Sequence, residues 1–141
     1  MFKTILFPID QSREAREAAQ MVANLVKTYN SRLFLLSVVE KASPDATPAP
    51  EQPSSPVMTS PEEVEKLLQA AQALFAQQGI NADMVEREGM PSFTICDVAD
   101  EIGADLIVMG CRGLGLTVEG VNESVTTRVI NLSPCPVLIV P

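Results

Sequence analysis

The chain alternates between short apolar runs and longer segments whose apolar residues recur every three or four positions. Lys3 to Ile9 is a compact apolar run closed by Pro8 and Asp10, the pattern of a buried strand. Ser12 is placed to cap a helix through about Tyr29, in which Ala15, Ala18, Ala19, Val22, Ala23, Val26 and Tyr29 share one face. Asn30 and Ser31 close that helix. Leu33 to Val39, LFLLSVV, is apolar almost throughout, as strands are when a parallel sheet is covered by helices on both faces.

Residues 41–60 break this rhythm with five prolines among Ala, Ser and Thr. A segment with so little to bury is expected to be a mobile surface loop within one domain spanning 1–141, with its proline runs a candidate contact for a protein partner. Ser60, Pro61 and Glu63 then form a helix-start signature, and Gly79 ends a helix that buries Val64, Leu67, Leu68, Ala71, Leu74 and Phe75. Ala82 to Glu88 mixes apolar and charged residues like a strand with one wet face at a sheet edge. Pro91 opens a helix that buries Phe93, Ile95, Cys96, Val98, Ala99 and Ile102, and Gly103 stops it. A buried strand over Asp105–Met109, a helix from about Asn122 to Leu132 and a last strand over Pro136–Val140 complete the order.

Five strands alternating with four helices predict an α/β fold with an open parallel sheet and right-handed crossovers. The final strand, PVLIV, has no helix after it to cover it. An exposed apolar edge of this kind is expected to pair with its own copy across a two-fold axis, giving a homodimer through 136–140.

Composition narrows the function. The chain has 141 residues, carries a net charge of −8 and contains no histidine. The acidity argues against a nucleic-acid or anionic-membrane surface. The missing histidine removes the common catalytic triads and His metal sites, and Lys66 is the last lysine, so no phosphate-loop lysine serves the C-terminal half. No apolar run is long enough to span a membrane and no signal-peptide pattern opens the chain. Cys96, Cys111 and Cys135 cannot all pair, so reduced thiols and a cytoplasmic setting are expected.

In an open α/β sheet, ligands collect at the carboxyl ends of strands where the strand order reverses. Two segments sit at such ends: Pro8-Ile9-Asp10, and the loop after Met109, which reads GCRGLGLTVEGVNESV. Asp10 can accept from a base amino group or ribose hydroxyl, or it can cap the first helix. Gly110 and Gly113 let backbone amides approach an anion, or simply make a tight turn.

The stretches PIDQS, ADLIVMGCRG and SPCPVLIVP resemble the universal stress protein family, and the resemblance spans the whole chain. In nucleotide-binding members this loop reads Gly, two residues, Gly, nine residues, then Gly followed by Ser or Thr. Gly110, Gly113 and Ser124 match, but Glu123 stands at the third glycine. The resemblance implies sheet order 3-2-1-4-5, adenine near Asp10 and the backbone of Val38, and ribose and phosphates near Gly110, Arg112, Gly113, Ser124, Val125 and Thr126. It also implies a dimer through the last strand. Members without the full glycine pattern generally do not hold ATP. Two charges about 4 Å apart repel by roughly 4 kcal/mol at an effective dielectric of 20, so Glu123 opposes a triphosphate. Magnesium bridging Glu123, or a ligand such as AMP with fewer phosphates, relieves that conflict. The expected function is therefore adenine-nucleotide binding, ATP or AMP, in stress response or signalling. A nucleotide-free interaction module is the alternative, and a weak ATPase is the most that an enzymatic reading supports.

Overall fold

The computed structural model describes residues 2–9, 13–40, 61–110 and 125–140. Five parallel strands form one sheet: β1 (Thr4–Pro8), β2 (Arg32–Glu40), β3 (Ala82–Gly89), β4 (Leu106–Gly110) and β5 (Val137–Val140). Their spatial order is β3-β2-β1-β4-β5, as the family resemblance implies. Four helices connect them: α1 (Arg13–Tyr29), α2 (Pro61–Gln77), α3 (Pro91–Ile102) and α4 (Val125–Leu132). The proline-rich segment 41–60, Ser12 and Ser60 as helix caps, and Ala15 as a core residue fall outside what can be described of chain and side chain.

The alternation of side chains along each strand divides the core between the two faces of the sheet. Ile5, Phe7, Leu33, Leu35 and Val108 meet α1 and α2 on one face. Leu6, Leu36, Ile107 and Met109 meet α3 and α4 on the other. Strands buried on both faces have no polar side, which is why their sequences run apolar without a break. On the first face the two helices stand apart: α2 lies over β2 and β3, and α1 lies over β4 and β5.

Three helices end by one device. Asn30, Gly79 and Gly103 take left-handed backbone at φ 52°, 78° and 65°. The next residue then donates back to a carbonyl five positions earlier: Ser31 to Val26 at 3.1 Å, Ile80 to Phe75 at 2.9 Å and Ala104 to Ala99 at 2.9 Å. These bonds satisfy carbonyls that the helix itself cannot pair. The chain is then reversed into β2, β3 and β4.

Three apolar residues expected in the core are exposed instead. Leu74, Phe93 and Tyr29 are 54%, 50% and 41% accessible. Each lies at the margin of its helix's apolar stripe, which is wider than the strip the sheet covers. Tyr29 still packs edge-on against Phe2, with ring centroids 5.2 Å apart.

The two sheet margins differ in character. β3 places Asp83, Glu86, Arg87 and Glu88 along one edge, all exposed, with Asp83 paired to Arg32 at 3.0 Å. β5 is the opposite margin, and its residues Val137, Leu138, Ile139 and Val140 are all half-buried. No described helix is long and apolar enough to cross a membrane.

Candidate functional site

β1 is the first strand laid down and ends in the middle of the sheet. The chain leaves it toward β2 on one side and returns to its other side only with β4. This reversal is the switch point at which α/β sheets hold ligands. On the β2 side, the register of β1 runs from Thr4↔Arg32 through Pro8↔Leu36. On the β4 side it covers only Ile5↔Leu106 and Leu6↔Ile107. Proline has no N–H with which to extend a ladder. The ladder to β4 thus stops two residues short of the end of β1, and the β1 and β4 tips do not pair with each other, although Pro8 stays paired to β2 and Gly110 to β5.

β2 runs four residues past the level of Pro8, which carries Val38 beyond the β1 tip. Ile9 is tied to that extension, its amide donating to the Leu36 carbonyl at 2.8 Å. The Ser37 hydroxyl, fully buried, donates to the Ile9 carbonyl at 3.4 Å. Ser37 is a site-shaping residue that the sequence reading passed over. The one hydroxyl inside LFLLSVV was its only signal, and that was absorbed into the apolar run.

On the β4 side, Met109 is fully buried and Gly110 is buried at the strand end. α4 begins at Val125, and the Thr126 hydroxyl, 7% exposed, donates to the Gly110 carbonyl at 3.4 Å. That bond fixes the helix start against the strand tip, so the first turn of α4, the positive end of its dipole, lies near Gly110. Val38, Met109 and Val125 all belong to the core between the sheet and α3–α4.

Of the residues predicted for the site, the structure brings together Pro8, Ile9, Val38, Met109, Gly110, Val125 and Thr126 at the carboxyl ends of β1, β2 and β4. Asp10, Arg112, Gly113, Glu123 and Ser124 lie outside the described residues. The described half consists of the half-buried Val38, the buried Met109 and Gly110 at the end of β4, and the start of α4 joined to that end by Thr126. No group of three or more metal-ligating side chains occurs among the described residues.

Two cysteines flank this face. Burial pushes the Cys96 thiol above its ordinary pKa, helped by Asp97 and by Cys135. Burial also raises Cys135, with Asp105 adding to it and hydrogen bonds from Ser133 and the Ile107 backbone opposing. Both are free thiols held protonated, the opposite of an activated nucleophile.

The universal stress protein family model matches residues 1–141. A universal stress protein of Synechocystis sp. is 70% identical over 141 residues, covering all of this chain and 87% of that relative. Among solved structures, the universal stress protein UspA of Lactobacillus plantarum superposes with a TM-score of 0.80 at 26% identity, covering 99% of this chain and 98% of that one. A universal stress protein solved in complex with cAMP superposes with a TM-score of 0.76 at 22% identity, covering 99% and 97%. With a family match from end to end and the sheet order to go with it, the chain belongs to the universal stress protein family.

Proposed function

We propose that this chain binds an adenine nucleotide, ATP or AMP, in the crevice between β1 and β4, and that it acts in stress response or signalling as a cytoplasmic homodimer. The observation that carries the reading is the ladder between β1 and β4, which ends at Leu6↔Ile107, so that the two strand tips no longer pair with each other beside the start of α4. A neighbour of the same fold solved in complex with cAMP supports the choice of an adenine nucleotide as ligand. In this reading Pro8, Ile9, Asp10 and the Val38 backbone receive the adenine. Gly110, Arg112, Gly113, Ser124, Val125 and Thr126 receive the ribose and phosphates.

Glu123 in the place of the third motif glycine favours a second reading, a nucleotide-free dimeric interaction module. A carboxylate at a helix start stabilises the helix dipole as an anion does. AMP suits the first reading better than ATP because it brings less negative charge toward Glu123. Magnesium is the remaining route to a bound triphosphate.

Calorimetry with AMP, ATP and cAMP, with and without magnesium, separates the readings. Saturable binding of AMP, with ATP weaker unless magnesium is present, supports the first. Absence of heat with all three, together with ATP binding created by Glu123→Gly, establishes the second.

A further inference from the structure

On the sheet face opposite Val38 and Met109, the separation of α1 and α2 leaves a groove of about 680 Å³ above β1. Its floor is Phe7 and Ile9 from the strand, with Phe75 closing the lower end. Phe75 meets Phe7 edge-to-face, with centroids 6.3 Å apart and planes at 88°. One wall is the α2 stripe Leu67, Ala71 and Leu74, and the other is Ala19 of α1. Leu74, half exposed against expectation, lines this space, so its exposure is exposure to the groove.

The rim is charged. Arg16 stands on α1 and Lys66 on α2, both exposed, and no ion pair among the described residues involves either. Glu63, one turn before Lys66, is the carboxylate at the same rim. Among the described residues, two cations and one anion leave a single net positive charge at this rim, in a chain whose total is −8. The rim is therefore complementary to a monoanion, and a di- or trianionic phosphate is poorly matched. From Lys66 to Leu74 the wall runs about 12 Å at 1.5 Å per helical residue, straight and apolar. A volume in the range of small-ligand sites, an apolar lining and a few charged groups at one end describe a site for an elongated amphipathic molecule. The long Arg and Lys stems can lie on such a body while their heads stay in water.

We propose that the groove between α1 and α2 binds a medium- to long-chain fatty carboxylate, its headgroup between Arg16 and Lys66 and its alkyl chain along Leu67, Ala71 and Leu74 over Phe7. This site lies on the opposite face from Val38 and Met109 and, among the described residues, shares only Ile9 with the proposed nucleotide site. It stands whether or not a nucleotide binds.

The test is calorimetric titration of the full chain with dodecanoate below its micelle concentration, with dodecanol and dodecyltrimethylammonium as neutral and cationic controls. Saturable binding of one dodecanoate per chain is expected, with both controls weaker. Joint reversal by Arg16→Glu and Lys66→Glu should weaken dodecanoate about tenfold or more, as loss of two attractive charges near a surface predicts. Ala71→Phe should fill the groove and abolish binding while the melting temperature stays within a few degrees. If that variant does not fold, the charge reversals decide alone, since both side chains are exposed. No saturable dodecanoate binding, binding indifferent to the charge reversals, or equal binding of the cationic detergent overturns the proposal. Preference for a compact aromatic acid such as benzoate over dodecanoate also overturns it.

Discussion

The Thr126 hydroxyl donates to the Gly110 carbonyl across 3.4 Å, joining the first turn of α4 to the last residue of β4. The bond is long, but both groups are buried. Thr126→Val preserves the shape and deletes the donor, leaving a buried carbonyl without this partner. We expect a loss of about 0.5–1 kcal/mol in urea denaturation. AMP affinity should fall in parallel if the helix start contributes to binding. Thr126→Ser should retain most of both.

Asp105 acts as a clamp at the opposite end of the sheet. Its Oδ2 accepts from the amides of Lys3 and Thr4, each at 3.0 Å, and its own amide donates to the Thr4 carbonyl at 2.8 Å. Those bonds set β4 beside β1 in the register on which the crevice depends. Asp105→Ala should cost about 1–2 kcal/mol, since two backbone donors lose a charged acceptor in a partly solvated place. Asp105→Asn should recover part of that loss. Equal denaturation midpoints for wild type and Asp105→Ala would show that the clamp contributes nothing.

Gly89 ends β3 at φ 149°, and a Cβ built there falls 2.8 Å from the Thr94 Oγ1. Gly89→Ala meets both the backbone penalty and the contact. The expected destabilisation is about 1–3 kcal/mol, read as a drop in melting temperature. Adding Thr94→Ala should restore only the steric share, because the backbone angle is unchanged.

The two raised thiols make stability pH-dependent on the alkaline side. Below the ordinary thiol pKa of about 8.5, folded and unfolded chains both hold these protons, and stability is at its full value. Above it the unfolded chain releases protons that Cys96 and Cys135 still retain in the fold. Stability should therefore decline as pH rises past about 8.5, until the raised folded values are passed. Replacing both cysteines by alanine should flatten that decline. Reaction of these thiols with an aromatic disulfide reagent at neutral pH should be slow in the folded chain and fast in denaturant.

Much of this architecture can be read from residue order because the signals are local. LFLLSVV and DLIVM name strands covered on both sides, and Asn30, Gly79 and Gly103 mark helix ends through a backbone conformation that few residues adopt. Whether Leu74 and Phe93 reach the core depends on how far the sheet extends beneath each helix, which periodicity does not encode. The two strand ends at which the candidate site is proposed are legible in the same way, from Pro8 and Gly110 closing apolar runs. The Asp105 clamp joins positions more than a hundred residues apart, and the role of Ser37 depends on where Ile9 turns, so neither leaves a mark in its own neighbourhood. The groove over Phe7 arises from a gap between two helices, and spacing between elements is set only when the sheet is assembled.

The contrast between the margins of the sheet limits how copies can add to one another. β3 displays Asp83, Glu86, Arg87 and Glu88, which disfavour another strand, while β5 ends in a bare Val-Leu-Ile-Val ribbon. If β5 pairs with its own copy, the twin has no second apolar ribbon to offer, and growth by strand addition would stop after a single step rather than run on into a fibre.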